Sequence, residues 1–169
     1  MSNIRNELVF AALEESYFLI DYNIHNGLDK RYEFMQQTIL ADETLTNDEK
    51  YEAIKKLNKY HDFVKILYNE GKKRIYENCQ EECLATLYCE YCIRNYLKAK
   101  FSNWTSGNNN IDNLIQKCQM ESLSPNKIVE WIPYNNLQNI NYLTKGGCSE
   151  IYTADWISGQ YYEWNSEEQ

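Results

Sequence analysis

Four of the chain's six cysteines fall within 14 residues, as Cys79-x3-Cys83-x5-Cys89-x2-Cys92, and no other feature restricts the local fold so tightly. A cluster of this kind offers four soft ligands. Zn²⁺ in structural sites favours four thiolates in tetrahedral geometry, with two to four residues between the members of each pair. Both pairs obey that spacing, and the five-residue connection between them demands tight turns. A metal held by Cys79, Cys83, Cys89 and Cys92 is structural, because an all-thiolate shell leaves no position for water and no acid/base pair lies nearby. The alternative is that these cysteines are small apolar residues at a helix-to-loop transition. Cys118 and Cys148 stand alone in sequence and read as packing residues.

Composition narrows the function classes. The chain has 169 residues, 43% of them hydrophobic and 14% aromatic, enough for one domain or two small modules. Fifteen Tyr against five Phe suggest several small cores with half-buried rings rather than one large interior. A net charge of −8 argues against nucleic acid as a partner. The basic run Lys72-Lys73-Arg74 reads as a solvated helix face. Met1 to Arg5 lacks the layout of a signal peptide, and no apolar run approaches the roughly 20 residues that cross a bilayer. A cytoplasmic protein with no membrane contact and reduced thiols is therefore expected, and the sequon at Asn103-Trp104-Thr105 is a chance match.

Hydrophobic periodicity predicts an antiparallel helical bundle over residues 1–77. Leu13, Tyr17, Ile20 and Ile24 mark a helix from about Asn3 to Asn26, which Gly27 stops. Leu28, Tyr32, Met35 and Ile39 repeat the spacing over about 13 residues. Thr46 and Glu49 stand at capping-box spacing, and Ile54, Leu57, His61, Val64 and Tyr68 carry a third helix past a weak point at Gly71 toward Tyr76. His61 reads as a packed residue with a satisfied hydrogen bond, and no local signature pairs a His with a Cys for catalysis.

The knuckle then occupies 78–102, with Tyr96 to Phe101 a short helix or extended link. A turn-rich stretch and a linker helix fill 103–127, the helix capped by Asn110 and running through Ile111, Leu114 and Ile115 to Met120. Beyond Pro125 the pattern becomes strand-like at 128–132, 140–144 and 150–156, with Ser158-Gly159 a hairpin turn into a return strand at 161–164. The fold class is thus α+β: a helical bundle, a small Cys-rich knuckle, then an incomplete antiparallel sheet.

The segment Leu143 to Tyr152 is similar to a protein-kinase glycine-rich loop, with Gly146 at the second glycine and Thr144 and Ser149 at the first and third. Its context extends the likeness. Asn103-Trp104-Thr105-Ser106-Gly107-Asn108, Ile111-Asp112, Val129-Glu130-Trp131-Ile132-Pro133-Tyr134, Lys145-Gly146-Gly147 and Ile151-Tyr152 occur in the order of an expanded family of fungal protein-kinase-like proteins, which the chain resembles over about 75–164. The resemblance implies that 128–169 is the start of a kinase N-lobe. It also implies that Leu143 and Ile151 flank adenine, and that Lys145, Gly146 and Gly147 form the phosphate-covering tip.

Tyr76 stands where relatives carry a further knuckle Cys. The kinase Lys, the catalytic-loop Asp and the metal-binding Asp of the pattern are not found in this sequence. The expectation is a pseudokinase-like N-terminal fragment without phosphotransfer of its own, Mg·ATP belonging to a full-length parent. The rival is a non-enzymatic interaction module, in which the helices and the zinc knuckle bind a protein partner.

Overall fold

The computed structural model describes residues 4–161 and 163–165. The fold is α+β, and the described residues form five α-helices and two small two-stranded antiparallel sheets. Two compact units divide between Cys92 and Ile93, so the four clustered cysteines fall in the same unit as the first three helices.

In the first unit α1 spans Asn6–Phe18, α2 Leu28–Ala41 and α3 Asn47–Tyr68. Val9, Ala12, Ile20, Met35, Ile39, Leu45, Ala53 and Leu57 form their common core. The capping box is present: the Thr46 amide donates to Glu49 Oε2 (2.9 Å) and the Glu49 amide to Thr46 Oγ1 (3.3 Å). Glu49 also receives Arg5 through its backbone amide (3.0 Å), Nε (2.7 Å) and Nη2 (2.7 Å), so one buried carboxylate ties the start of α1 to the start of α3.

Two expectations for these helices are corrected. The first helix ends at Phe18 rather than near Asn26, because Asp21 turns the chain: its carboxylate accepts from the Asn23 amide and its carbonyl from the amides of Ile24 and His25. The core stripe of α1 is Val9, Ala12 and Ser16, whereas Tyr17 and Ile24 are exposed. The third helix likewise stops at Tyr68, with Asn69 left-handed at its C-cap and Gly71 beyond it at φ 109°. Tyr68 is exposed, and the buried face turns to Asp62 and Lys65. Lys72-Lys73-Arg74 is therefore not a helix face.

After α3 the chain forms a short hairpin, β1 (Arg74–Ile75) against β2 (Glu82–Cys83), and then α4 (Glu90–Ala99). The second unit contains most of α4, a 3-10 turn at Phe101–Asn103, and α5 (Asn109–Met120). Asn108 caps α5, two residues before the expected cap, by accepting from the Asn110 amide (2.9 Å), and Ile111 and Leu114 are exposed.

The strand expected at 128–132 is absent. Pro125 and Pro133 introduce 3-10 turns on either side, and the Val129 carbonyl is taken by Gln119 Nε2 (2.7 Å) rather than by a neighbouring strand. β3 (Leu137–Lys145) pairs with β4 (Glu150–Trp156) through a register that slips twice. Of the expected return strand at 161–164, Tyr162 lies outside the described residues, and Tyr161, Glu163 and Trp164 form no strand.

Candidate metal centre

Three of the four clustered cysteines come together. Cys79 lies at the tip of the β1–β2 hairpin, in a turn where the Tyr76 amide donates to the Glu81 carbonyl (3.0 Å) and the Gln80 amide to the Tyr76 carbonyl (2.8 Å). Cys89 immediately precedes α4 and Cys92 lies in its first turn. The Sγ atoms of Cys79, Cys89 and Cys92 all lie within 4.8 Å of one another, with Cys79 and Cys89 3.6 Å apart. A tetrahedral Zn–thiolate shell with bonds near 2.3 Å sets sulfurs about 3.8 Å apart, so this trio is dimensioned for a metal ion.

Cys83 does not complete the trio at that spacing. Its side chain is buried, its thiol donates toward the Ala85 carbonyl (3.7 Å), and it is also in hydrogen-bond relation with Cys89. Burial pushes the Cys83 thiol up to about 11, and burial with the Cys79 and Cys89 thiols pushes Cys92 up to about 12. At Cys79 burial acts in the same direction, but hydrogen bonds from the Glu81 backbone and from the Cys92 and Cys89 thiols outweigh it and hold the thiol below its ordinary range. The thiols of Cys83 and Cys92 thus hold their protons at neutral pH, and a metal that binds them must displace those protons.

Residues that spacing rules do not single out hold the loop carrying these thiols. Arg74, at the start of β1, donates from Nε to the Ala85 carbonyl (2.7 Å) and from Nη2 to the carbonyls of Thr86 and Tyr88 (both 3.0 Å). Asp62 of α3, fully buried, accepts from the amides of Thr86 (2.7 Å) and Leu87 (2.8 Å). Glu90 Oε1 accepts from the Leu84 amide (2.9 Å). Three charged side chains from three elements therefore fix the backbone of 84–88, which sets where Cys89 enters α4. Metal sites are commonly supported in this way, by groups that orient the ligands rather than bind the ion.

The other sequence candidates lie elsewhere. Leu143 and Lys145 are on β3, Ile151 is on β4, and Gly146 and Gly147 are in the connecting loop, where the Gly146 amide donates to the Ser149 carbonyl (2.8 Å). All five are exposed, as is every residue of the hairpin strands except Leu137 and Trp156. Cys148, expected to pack, is exposed at the hairpin tip, and Cys118 is half-buried on α5.

His61 is packed as expected, stacked on Tyr32 with centroids 4.2 Å apart, but its Nε2 meets Asp29 Oδ1 at 3.3 Å without the alignment of a hydrogen bond. Comparison of the chain with family models, with curated proteins and with solved structures yields no match in any of the three.

Proposed function

We propose that this chain is a non-enzymatic protein-interaction module whose Cys-rich knuckle is organised by one structural Zn²⁺. The observation that carries the reading is the convergence of Cys79, Cys89 and Cys92 from a hairpin tip and a helix start, with their loop held by Arg74, Asp62 and Glu90. Cys83, already adjacent to Cys89, is the fourth ligand. The metal crosslinks the hairpin to α4 and does no chemistry of its own.

The test is chelation of the purified, reduced protein. Loss of metal is expected to lower the melting temperature and the helical signal, and zinc alone is expected to restore both. A protein whose stability is indifferent to strong chelators contradicts the reading.

A second reading, that the β3–β4 hairpin is the glycine-loop start of a kinase-like N-lobe in a cytoplasmic protein, draws on one specific observation. Neither Gly146 nor Gly147 adopts a left-handed φ, and a Cβ at either would meet nothing closer than 3.5 Å. The hairpin itself does not require glycine there, whereas backbone that approaches a phosphate does. With five exposed residues and no enclosing wall on the hairpin strands, this chain is expected to show no thermal shift with Mg·ATP. A saturable shift abolished by Gly146→Val would overturn that expectation.

A further inference from the structure

The three converging cysteines differ in their access to solvent. Cys79, at the hairpin tip, and Cys92, in the first turn of α4, are half-buried, whereas Cys89 between them is fully enclosed. An oxidant therefore reaches Cys79 without reaching Cys89. The two Sγ atoms are 3.6 Å apart. A disulfide has S–S of about 2.05 Å, so a closure of roughly 1.5 Å would join them.

The two sides of that closure are held very differently. Cys79 is carried by strands of two residues each, a hairpin with little backbone pairing to resist a small shift. The 84–88 loop leading into Cys89 is fixed by Arg74, Asp62 and Glu90 through backbone carbonyls and amides, and none of these bonds involves a thiol. Cys89 thus keeps its place whether or not the thiols hold a metal, and Cys79 is the side that moves.

We propose that the knuckle is a reversible redox switch, in which a peroxide joins Cys79 to Cys89 and the zinc is expelled. The proposal rests on the metal-centre reading and adds the regulation of that site. The Cys79 sulfur attacks peroxide, the O–O bond breaks, and Cys79 becomes a sulfenic acid while the other oxygen leaves as water. The Cys89 sulfur then attacks the Cys79 sulfur, the S–S bond forms, the S–O bond breaks and a second water leaves. Two thiolates, one peroxide and two solvent protons give one disulfide and two waters. With two of its four ligands oxidised the site no longer holds the ion, and Cys83 and Cys92 return to free thiols. The disulfide then ties the hairpin tip to the start of α4 in place of the metal.

The test is titration of the zinc-loaded full chain with stoichiometric hydrogen peroxide, followed by zinc release to a colorimetric chelator and by non-reducing disulfide mapping. Cleavage after Glu81 and Glu90 separates Cys79, Cys89 and Cys92 into three fragments, and tandem fragmentation tells Cys89 from Cys83 within the one they share. One zinc per chain is expected to leave in step with one Cys79–Cys89 bridge, and dithiothreitol with added zinc is expected to restore the starting state. Because the bridge replaces the lost crosslink, the oxidised chain is expected to melt above the reduced, chelated one. Cys92→Ser, which leaves the pair intact, is expected to form the same bridge.

Zinc retained with the thiols still reduced overturns the switch and leaves the metal centre standing. A bridge between Cys89 and Cys92 instead, or oxidation that dithiothreitol does not reverse, overturns it as well, as does an oxidised chain that melts no higher than the chelated one. A chain that holds no zinc before peroxide is added, and takes none up, sinks the metal-centre reading and the switch with it.

Discussion

At the scale of single residues, the chain is organised by charged side chains that hold backbone. Arg74 spans three carbonyls with one guanidinium, a fork that Lys cannot reproduce. Arg74→Ala is expected to destabilise the first unit by about 3 kcal/mol, and Arg74→Lys to recover little of it, as read from urea unfolding.

Two carboxyl and imidazole effects set the acid response. The side chain of Arg5, with the Thr46 backbone, holds Glu49 well below the usual carboxylate range. A depressed acid stabilises above its unfolded pKa, so this contribution is lost as pH falls below about 4.3. Burial, with Lys65 nearby, lowers His61 against the opposing pull of Asp29 and Asp62. The unfolded state then takes up the imidazole proton first, so stability already declines below about pH 6.5. Melting temperature followed from pH 8 to 3 is expected to fall in two stages, with His61→Gln removing the upper stage and Glu49→Gln the lower.

At the scale of elements, local rules were legible wherever the physics is local. The Thr46–Glu49 capping box, the α2 stripe of Tyr32, Met35 and Ile39, the limits of β4 and the convergence of Cys79, Cys89 and Cys92 follow from short-range spacing. What failed was tertiary choice. In α1 the fully buried stripe is Val9, Ala12 and Ser16; of the more conspicuous stripe Leu13 packs partly against the core and Ile20 joins it beyond the helix end, while Tyr17 and Ile24 are exposed.

Residues 128–132 have strand composition but no partner, since their position between two prolines is settled by distant groups such as Gln119. Arg74 and Asp62 gave no signal because their partners are carbonyls and amides, which carry no residue identity. The packed stripe of α1 and the exposed turn after it are distinguishable by substitution. Val9→Ala is expected to cost about 2 kcal/mol, and Ile24→Ala, at a side chain 67% exposed, less than about 0.5 kcal/mol, both by chemical denaturation.

At the scale of the whole molecule, stability is unevenly supplied. The first unit has a continuous helical core and a braced cysteine knuckle, while the β3–β4 hairpin is exposed on both faces and is expected to exchange its amides fastest. Among the described residues no helix is long and apolar enough to cross a membrane. The fold class was legible from periodicity and turn residues; the role of the hairpin was not, because its meaning depends on what covers it.

The central claim is that the knuckle is a metal site built from Cys79, Cys89 and Cys92, with Cys83 as fourth ligand. Native mass spectrometry of the reduced protein, compared with Cys92→Ser and Cys83→Ser, tests it most directly. The account predicts one zinc per chain, lost in Cys92→Ser and bound at least ~10-fold more weakly in Cys83→Ser. A metal-free chain that is folded and unchanged by added zinc would contradict it.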